Sequence, residues 1–260
     1  YLYFKTTASK PEPPVAFKRI QPRTKDNVNE SCRIPNQENL HLLYKNNKNK
    51  NHLNRFPKQV ENGLIEVLSP SAAYYPDFET LPVTLGDSHK RVKWRTKQNL
   101  DNIYLMAYAQ SRGTYYLMLE DDVIAKKNYV QKFTASTTVS TPNWFFIEYC
   151  HVGGIGKLFR SADLIQFITY VQLFYYNMPI DWLLESYLAD RMCTIFKTSK
   201  KCSEAKETIR PKYKISLFQH IGLYSSLKGK IQKIRVRCLS ERFLCSLDLV
   251  SDLPLLTMFS

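Results

Sequence analysis

The feature that most constrains this 260-residue chain is a short apolar run, Thr114 to Leu119, followed at once by Glu120-Asp121-Asp122. The run has strand length and reads as a buried strand. In an open α/β sheet such a strand delivers the residues after it to the carboxyl edge, where these sheets bind ligands. Adjacent carboxylates repel one another. They become favourable together when a hard divalent cation sits between them and a diphosphate. The ion then acts as a Lewis acid toward a departing nucleotide. Without an ion, the same triplet reads as an acidic turn facing water.

The surrounding pattern supports an α/β domain. Gly63 to Leu68 reads as a strand stopped by Ser69-Pro70. A helix is predicted from about Arg95 to Gln110, with Gly113 just beyond it. Lys126 to Phe133 reads as helical and Asn143 to Tyr149 as a strand, broken by Gly153, Gly154 and Gly156. A second long helix spans about Ala162 to Tyr176, with Leu164, Phe167, Ile168, Val171, Phe174 and Tyr175 on one face. A third runs from Asp181 to Arg191, with Pro179 near its first turn. Strands alternating with helices predict a largely parallel sheet.

Charge divides the chain. Residues 1–60 hold 12 Lys and Arg against 4 Asp and Glu, and nine asparagines fall between Asn27 and Asn54. This segment reads as a basic, Asn/Lys/Pro-rich, disordered extension with one sequon at Asn29. It lacks the aromatic and glycine spacing of an RNA-binding module, so no nucleic-acid partner is expected. Residues 61–235 form the expected domain, and 236–260 a divergent C-terminal segment. No run of 18 apolar residues occurs. Six cysteines contain no Cys-x-x-Cys pair, which excludes a zinc ribbon. Cys193 and Cys202 flank a polar loop that a disulfide could close in a secretory compartment; two free thiols are the alternative.

Several blocks carry a longer resemblance: Arg95-Thr96-Lys97-Gln98-Asn99-Leu100-Asp101, the acidic strand, Gly156-Lys157-Leu158-Phe159 and Pro179-Ile180-Asp181-Trp182-Leu183-Leu184. Ser216-Leu217-Phe218-Gln219-His220, Ser225-Ser226-Leu227 and Gly229-Lys230-Ile231-Gln232-Lys233 come next. In this order and spacing, from about Gly63 to Lys233, the chain resembles the N-acetylglucosaminyltransferase IV family.

The resemblance implies a GT-A-like α/β fold and a Golgi-lumenal enzyme whose parent is a type II membrane protein. It implies inverting transfer of N-acetylglucosamine from UDP-GlcNAc to the α1,3-arm mannose of an N-glycan, in β1,4 linkage. Mn2+ or another divalent cation is the implied cofactor, with other Golgi glycosyltransferases as partners. Asp122, Asp121 and His220 are the metal-ligand candidates; Glu120 and Asp121 are also donor-binding candidates. The alternative for His220 is a core histidine with its nitrogens satisfied. Asp181 is the candidate base, or else a helix-start aspartate favoured by the helix dipole. Glu148 is the competing base. Arg95, Gln98 and Asn99 are candidates for contacting the nucleotide, or else form the helix's polar face.

The family's hydrophobic opening strand, which helps hold uridine, has no counterpart in residues 1–60 by pattern: Val15-Ala16-Phe17 is too short. The domain is therefore expected to be incomplete at its N-terminal strand. The resemblance also implies a carbohydrate-binding domain after the catalytic one. The competing expectation is a catalytically inactive member that binds glycosylation enzymes or glycans.

Overall fold

A computed structural model describes residues 2–4, 57–120, 122–133, 143–222, 225–227, 243–244 and 257–259, and only the backbone of 2–4, 243–244 and 257–259. Asp121, the Asn29 sequon and the 229–233 block lie outside the described residues.

The fold is mixed α/β. In chain order its elements begin with β1 (Leu2–Phe4), α1 (Pro57–Glu61) and β2 (Ile65–Val67). The long helix α2 (His89–Ala109) leads to β3 (Tyr115–Glu120), β4 (Val123–Lys126), β5 (Phe146–Glu148) and β6 (Lys157–Arg160). Helices α3 (Leu164–Phe174), α4 (Ile180–Met192) and α5 (Ser199–Ile209) come after β6. The last strands are β7 (Phe218–His220), β8 (Phe243–Leu244) and β9 (Thr257–Phe259). The main sheet has the order β2-β1-β9-β3-β6-β5, and a small sheet has the order β7-β4-β8.

The predicted parallel sheet is not what forms. Among the described residues only β3 and β9 pair in parallel; β3–β6, β5–β6, β1–β2 and β1–β9 are antiparallel. The reason lies in the connections. Residues 149–156 join β5 to β6 with no crossover helix, and a link that short returns the chain antiparallel. The expectation of no strand in residues 1–60 is also corrected, because Leu2–Phe4 pairs between β2 and β9. Thr257–Phe259 likewise joins the main sheet, beside β3.

Strand β3 explains its own composition. Tyr116 and Met118 pack into one apolar cluster with Ile103, Leu105 and Met106 of α2, Phe167 and Val171 of α3 and Leu183 and Leu188 of α4. Leu117 and Leu119 point the other way, into a second cluster with Val123, Ala125, Tyr149, Leu217 and Phe218. A strand buried on both faces needs apolar residues at every position, not at alternate ones. Helix α2 begins six residues before its predicted start, and α3 keeps Leu164, Phe167, Ile168 and Val171 buried as the period requires. Phe174 leaves that face, being 36% exposed. Helix α5 was not legible in advance; Thr198 caps it by accepting from the Lys201 N–H. The disulfide between Cys193 and Cys202 is formed.

Polar groups on α2 tie the helix layer together. The Arg95 side chain is fully buried; its guanidinium pairs with Asp87 and donates to Thr84 and to the carbonyls of Tyr176 and Asn177. Asn99 donates to the carbonyls of Tyr175 and Met178, both at 2.8 Å. The reading of Arg95 and Asn99 as nucleotide contacts is therefore corrected. Their donors satisfy the turn between α3 and α4, whose carbonyls would otherwise be orphaned.

Removing these donors should cost stability. Arg95→Met is expected to destabilise the fold by about 3 kcal/mol, because it leaves Asp87 without its buried partner. Asn99→Ala is expected to cost roughly 2 kcal/mol. Denaturant unfolding of the purified chain measures both.

Candidate metal and donor site

The edge of β3 carries the acids into a small cluster. Glu120 is its last residue, Asp122 lies in the turn to β4, and His220 ends β7. The β4–β7 register sets Val123 opposite His220, and the Ile221 N–H donates to the Asp122 carbonyl at 2.8 Å. That pairing brings together residues almost 100 positions apart. His220 Nε2 stands 3.0 Å from Asp122 Oδ2 and 3.6 Å from Glu120 Oε2. One ligand atom from each of the three lies within 4.8 Å of the others.

The donor set suits a divalent cation. Two carboxylates and an imidazole form a mixed O and N set that suits ions of the manganese kind. The Asp122 Oδ1 atom is buried and has no hydrogen-bond partner among the described residues. A buried carboxylate oxygen without a donor is costly, and an ion among the three residues would satisfy it. The residues present fit a metal, and Glu120, Asp122 and His220 are the three that could hold one. The resemblance matches Glu120 to the family's acidic metal motif and also makes it a donor-binding candidate.

Two glycines make this packing possible. A Cβ on Gly222 would fall 1.7 Å from Asp122 Oδ2, so only a bare backbone can pass there. Gly156 has φ +65°, and its Cβ would meet Phe218 at 2.8 Å and Cys150 at 3.0 Å. Its N–H donates to the Met118 carbonyl at 2.8 Å, seating the 151–156 loop on β3. In that loop a Cβ on Gly153 would lie 3.7 Å from Glu120 Oε1. Gly222 was missed by sequence reasoning. Its signal was present: a glycine two residues beyond a candidate ligand marks a close backbone approach.

The other candidates separate. Glu148 is buried and bonded to Lys157 Nζ at 2.8 Å, with His151 at 3.7 Å and Arg210 at 3.9 Å. Burial alone would raise its pKa, but the hydrogen bond and charge of Lys157, with Arg210 and His151, hold it below its usual value of 4.5. A carboxylate this committed is a poor base, so the Glu148 reading is corrected. Its task is to join β5 to the 209–213 segment, whose Tyr213 N–H donates to the Glu148 carbonyl. Asp181 lies in the first turn of α4, half-buried, and makes no hydrogen bond or ion pair among the described residues. Gln98 is exposed, with Nε2 3.4 Å from Ser226 Oγ; Trp94 Nε1 donates to the same oxygen at 2.9 Å.

Comparison with known proteins places this arrangement. Residues 39–237 match a family model described as the MGAT4 conserved region. The chain belongs to the MGAT4 family. It is similar to alpha-1,3-mannosyl-glycoprotein 4-beta-N-acetylglucosaminyltransferase A of Bos taurus, 46% identical over 180 residues, covering 69% of this chain and 34% of the relative. The B form of Homo sapiens is 46% identical over 181 residues, covering 69% and 33%. The A form of Gallus gallus is 43% identical over 194 residues, covering 74% and 36%. The chain thus spans about a third of the length of the curated MGAT4 relatives it matches. No solved structure matches it significantly. No helix among the described residues is long and apolar enough to cross a membrane.

Two substitutions probe this MGAT4 site. Gly222→Ala is expected to leave the circular dichroism spectrum unchanged while turning the Asp122 carboxylate aside, weakening Mn2+ binding roughly tenfold to a hundredfold by calorimetry. Glu148→Gln acts on stability instead. The folded state lowers the Glu148 pKa, so its ionised form stabilises the fold above the ordinary value of 4.5. That contribution fades as pH falls through the lowered value. Glu148→Gln is expected to lose about 3 kcal/mol at pH 7. Its stability should also change less than wild type as the pH is lowered below 4.5.

Proposed function

We propose that the chain is an inverting, metal-dependent glycosyltransferase with a GT-A-type fold, acting in the Golgi lumen. It transfers N-acetylglucosamine from UDP-GlcNAc to the α1,3-arm mannose of an N-glycan, in β1,4 linkage. The observation that carries this reading is the convergence of Glu120, Asp122 and His220 around the orphaned Asp122 oxygen. It occurs in a chain 46% identical to relatives named for that transfer.

The reaction needs two things from the protein. Glu120, Asp122 and His220, with Asp121 beside them in sequence, would hold a divalent cation such as Mn2+, which would supply positive charge for the departing diphosphate. The acceptor hydroxyl must lose its proton as its oxygen attacks the anomeric carbon from the opposite face. Asp181 is the group proposed to take it. Asp181 stands half-buried in the first turn of α4, committed to no hydrogen bond or ion pair among the described residues. As the new bond forms, the electron pair of the sugar–phosphate bond leaves with UDP.

The rim of the site suits a sugar nucleotide. Two exposed apolar residues neighbour it in the chain: Ile221, whose N–H donates to the Asp122 carbonyl, at 41% and Val152, next to Gly153, at 57%. Ligand sites commonly combine apolar and charged groups.

Calorimetric titration of UDP with and without Mn2+ tests the reading. Metal-dependent UDP binding is expected in the wild type and should fall roughly a hundredfold in Asp122→Asn. Asp181→Asn should keep that binding and lose transfer by about a hundredfold or more. A well-folded sample that binds no UDP with metal would leave the chain as a non-catalytic family member that binds enzymes or glycans.

A further inference from the structure

The connection between α4 and α5 has a tip that packs against none of the described core. Cys193 and Cys202 close it, with Cα atoms 5.0 Å apart. At the tip, Ile195 and Phe196 are 94% and 90% exposed. Scattered exposed apolar residues are ordinary. Two adjacent ones held almost wholly in water, inside a cross-linked loop, are not explained by the core.

The charges around the tip are equally unexplained by the fold. From Arg191 to Lys201 every charged residue is basic: Arg191, Lys197, Lys200 and Lys201. Arg191 turns inward, over the rings of Phe145 and Tyr187. Lys197 folds back, donating to the Met192 carbonyl at 2.5 Å. Lys200 and Lys201 are exposed in the first turn of α5 and make no ion pair among the described residues. Cations at a helix N-terminus oppose the helix dipole, so this placement costs stability locally.

We propose that the 193–202 loop docks the protein on a lipid surface bearing anionic headgroups, with Ile195 and Phe196 inserted and Lys200 and Lys201 on the phosphates. An apolar tip with two outward lysines beside it matches the requirements of that interface, where buried apolar area and attraction to anionic lipid add. A deformable headgroup layer accepts a protruding tip. Two side chains are too little to anchor a stable protein interface, which takes about 800 Å² from each partner. A second copy of the chain fits badly, since it would set the same lysines against each other at a net charge of +14. The disulfide holds the tip in shape before contact, which lowers the ordering cost of binding.

Co-sedimentation of the intact, oxidised chain with vesicles of phosphatidylcholine, with and without phosphatidylserine, tests this. The wild type is expected to bind the mixed vesicles, less so at high salt. Ile195→Ser with Phe196→Ser should weaken that binding at least about tenfold. Lys200→Glu with Lys201→Glu should weaken it by a similar factor and remove the preference for phosphatidylserine, at about fivefold per lysine. Leu173→Ser, which changes an exposed apolar residue on α3, should bind as wild type does. All these side chains are exposed, so folding should be retained, as circular dichroism can verify. Wild type that ignores mixed vesicles would overturn the proposal. So would an Ile195/Phe196 variant that binds like wild type, since the attraction would then belong to the chain's general positive charge.

Discussion

The site depends on one strand pairing, β4 with β7. Strand β3 alone delivers Glu120 and Asp122 to an edge, where two carboxylates would simply repel. The antiparallel register that sets Val123 against His220 adds an imidazole 3.0 Å from Asp122 Oδ2. It also fixes Ile221 on the Asp122 carbonyl and lays Gly222 against the Asp122 carboxylate. An acidic turn thereby becomes a three-sided cage. The register is imposed by the core, because Phe218 and Leu217 fill the cluster formed by Val123 and Ala125. A one-residue slip would turn those side chains to water and take His220 off the acids.

Much of the remaining charge serves architecture. Arg95 and Asn99 hold the α3–α4 turn, and with it the start of α4 that carries Asp181. Glu148 and Lys157 bond across the β5–β6 pair, and Arg210 brings in Glu185 and Glu207. Glu148, Lys157 and Arg210 are buried with partners, and removing one of them leaves a desolvated charge. Asp122 Oδ1 is a buried carboxylate oxygen with no donor among the described residues, standing beside Glu120 and His220, and a ligand could make that deficit good.

The sequence made some of this legible and hid the rest for physical reasons. Strand β3 and helices α2, α3 and α4 declared themselves because a continuous apolar run and a 3.6-residue period are local signals. Sheet direction was not local: alternation of strands and helices suggested parallel pairing, while the short 149–156 link imposed the opposite. The short strands Lys157–Arg160 and Phe218–His220 carry too few residues to show a period, so they emerged only from pairing. Among site residues, Asp122 and His220 were singled out in the sequence, and the fold brings them together with Glu120. Arg95 and Glu148 were misread because residue type cannot reveal burial: a polar residue near a site in sequence can be consumed entirely by internal bonds.

Anomalous X-ray scattering from crystals of the chain soaked in Mn2+ tests the central claim most directly. The account predicts one strong peak among Glu120, Asp122 and His220, at about 2.0–2.3 Å from a ligand atom of each. No peak there, with Asp122 Oδ1 bonded instead to a protein donor, would contradict it.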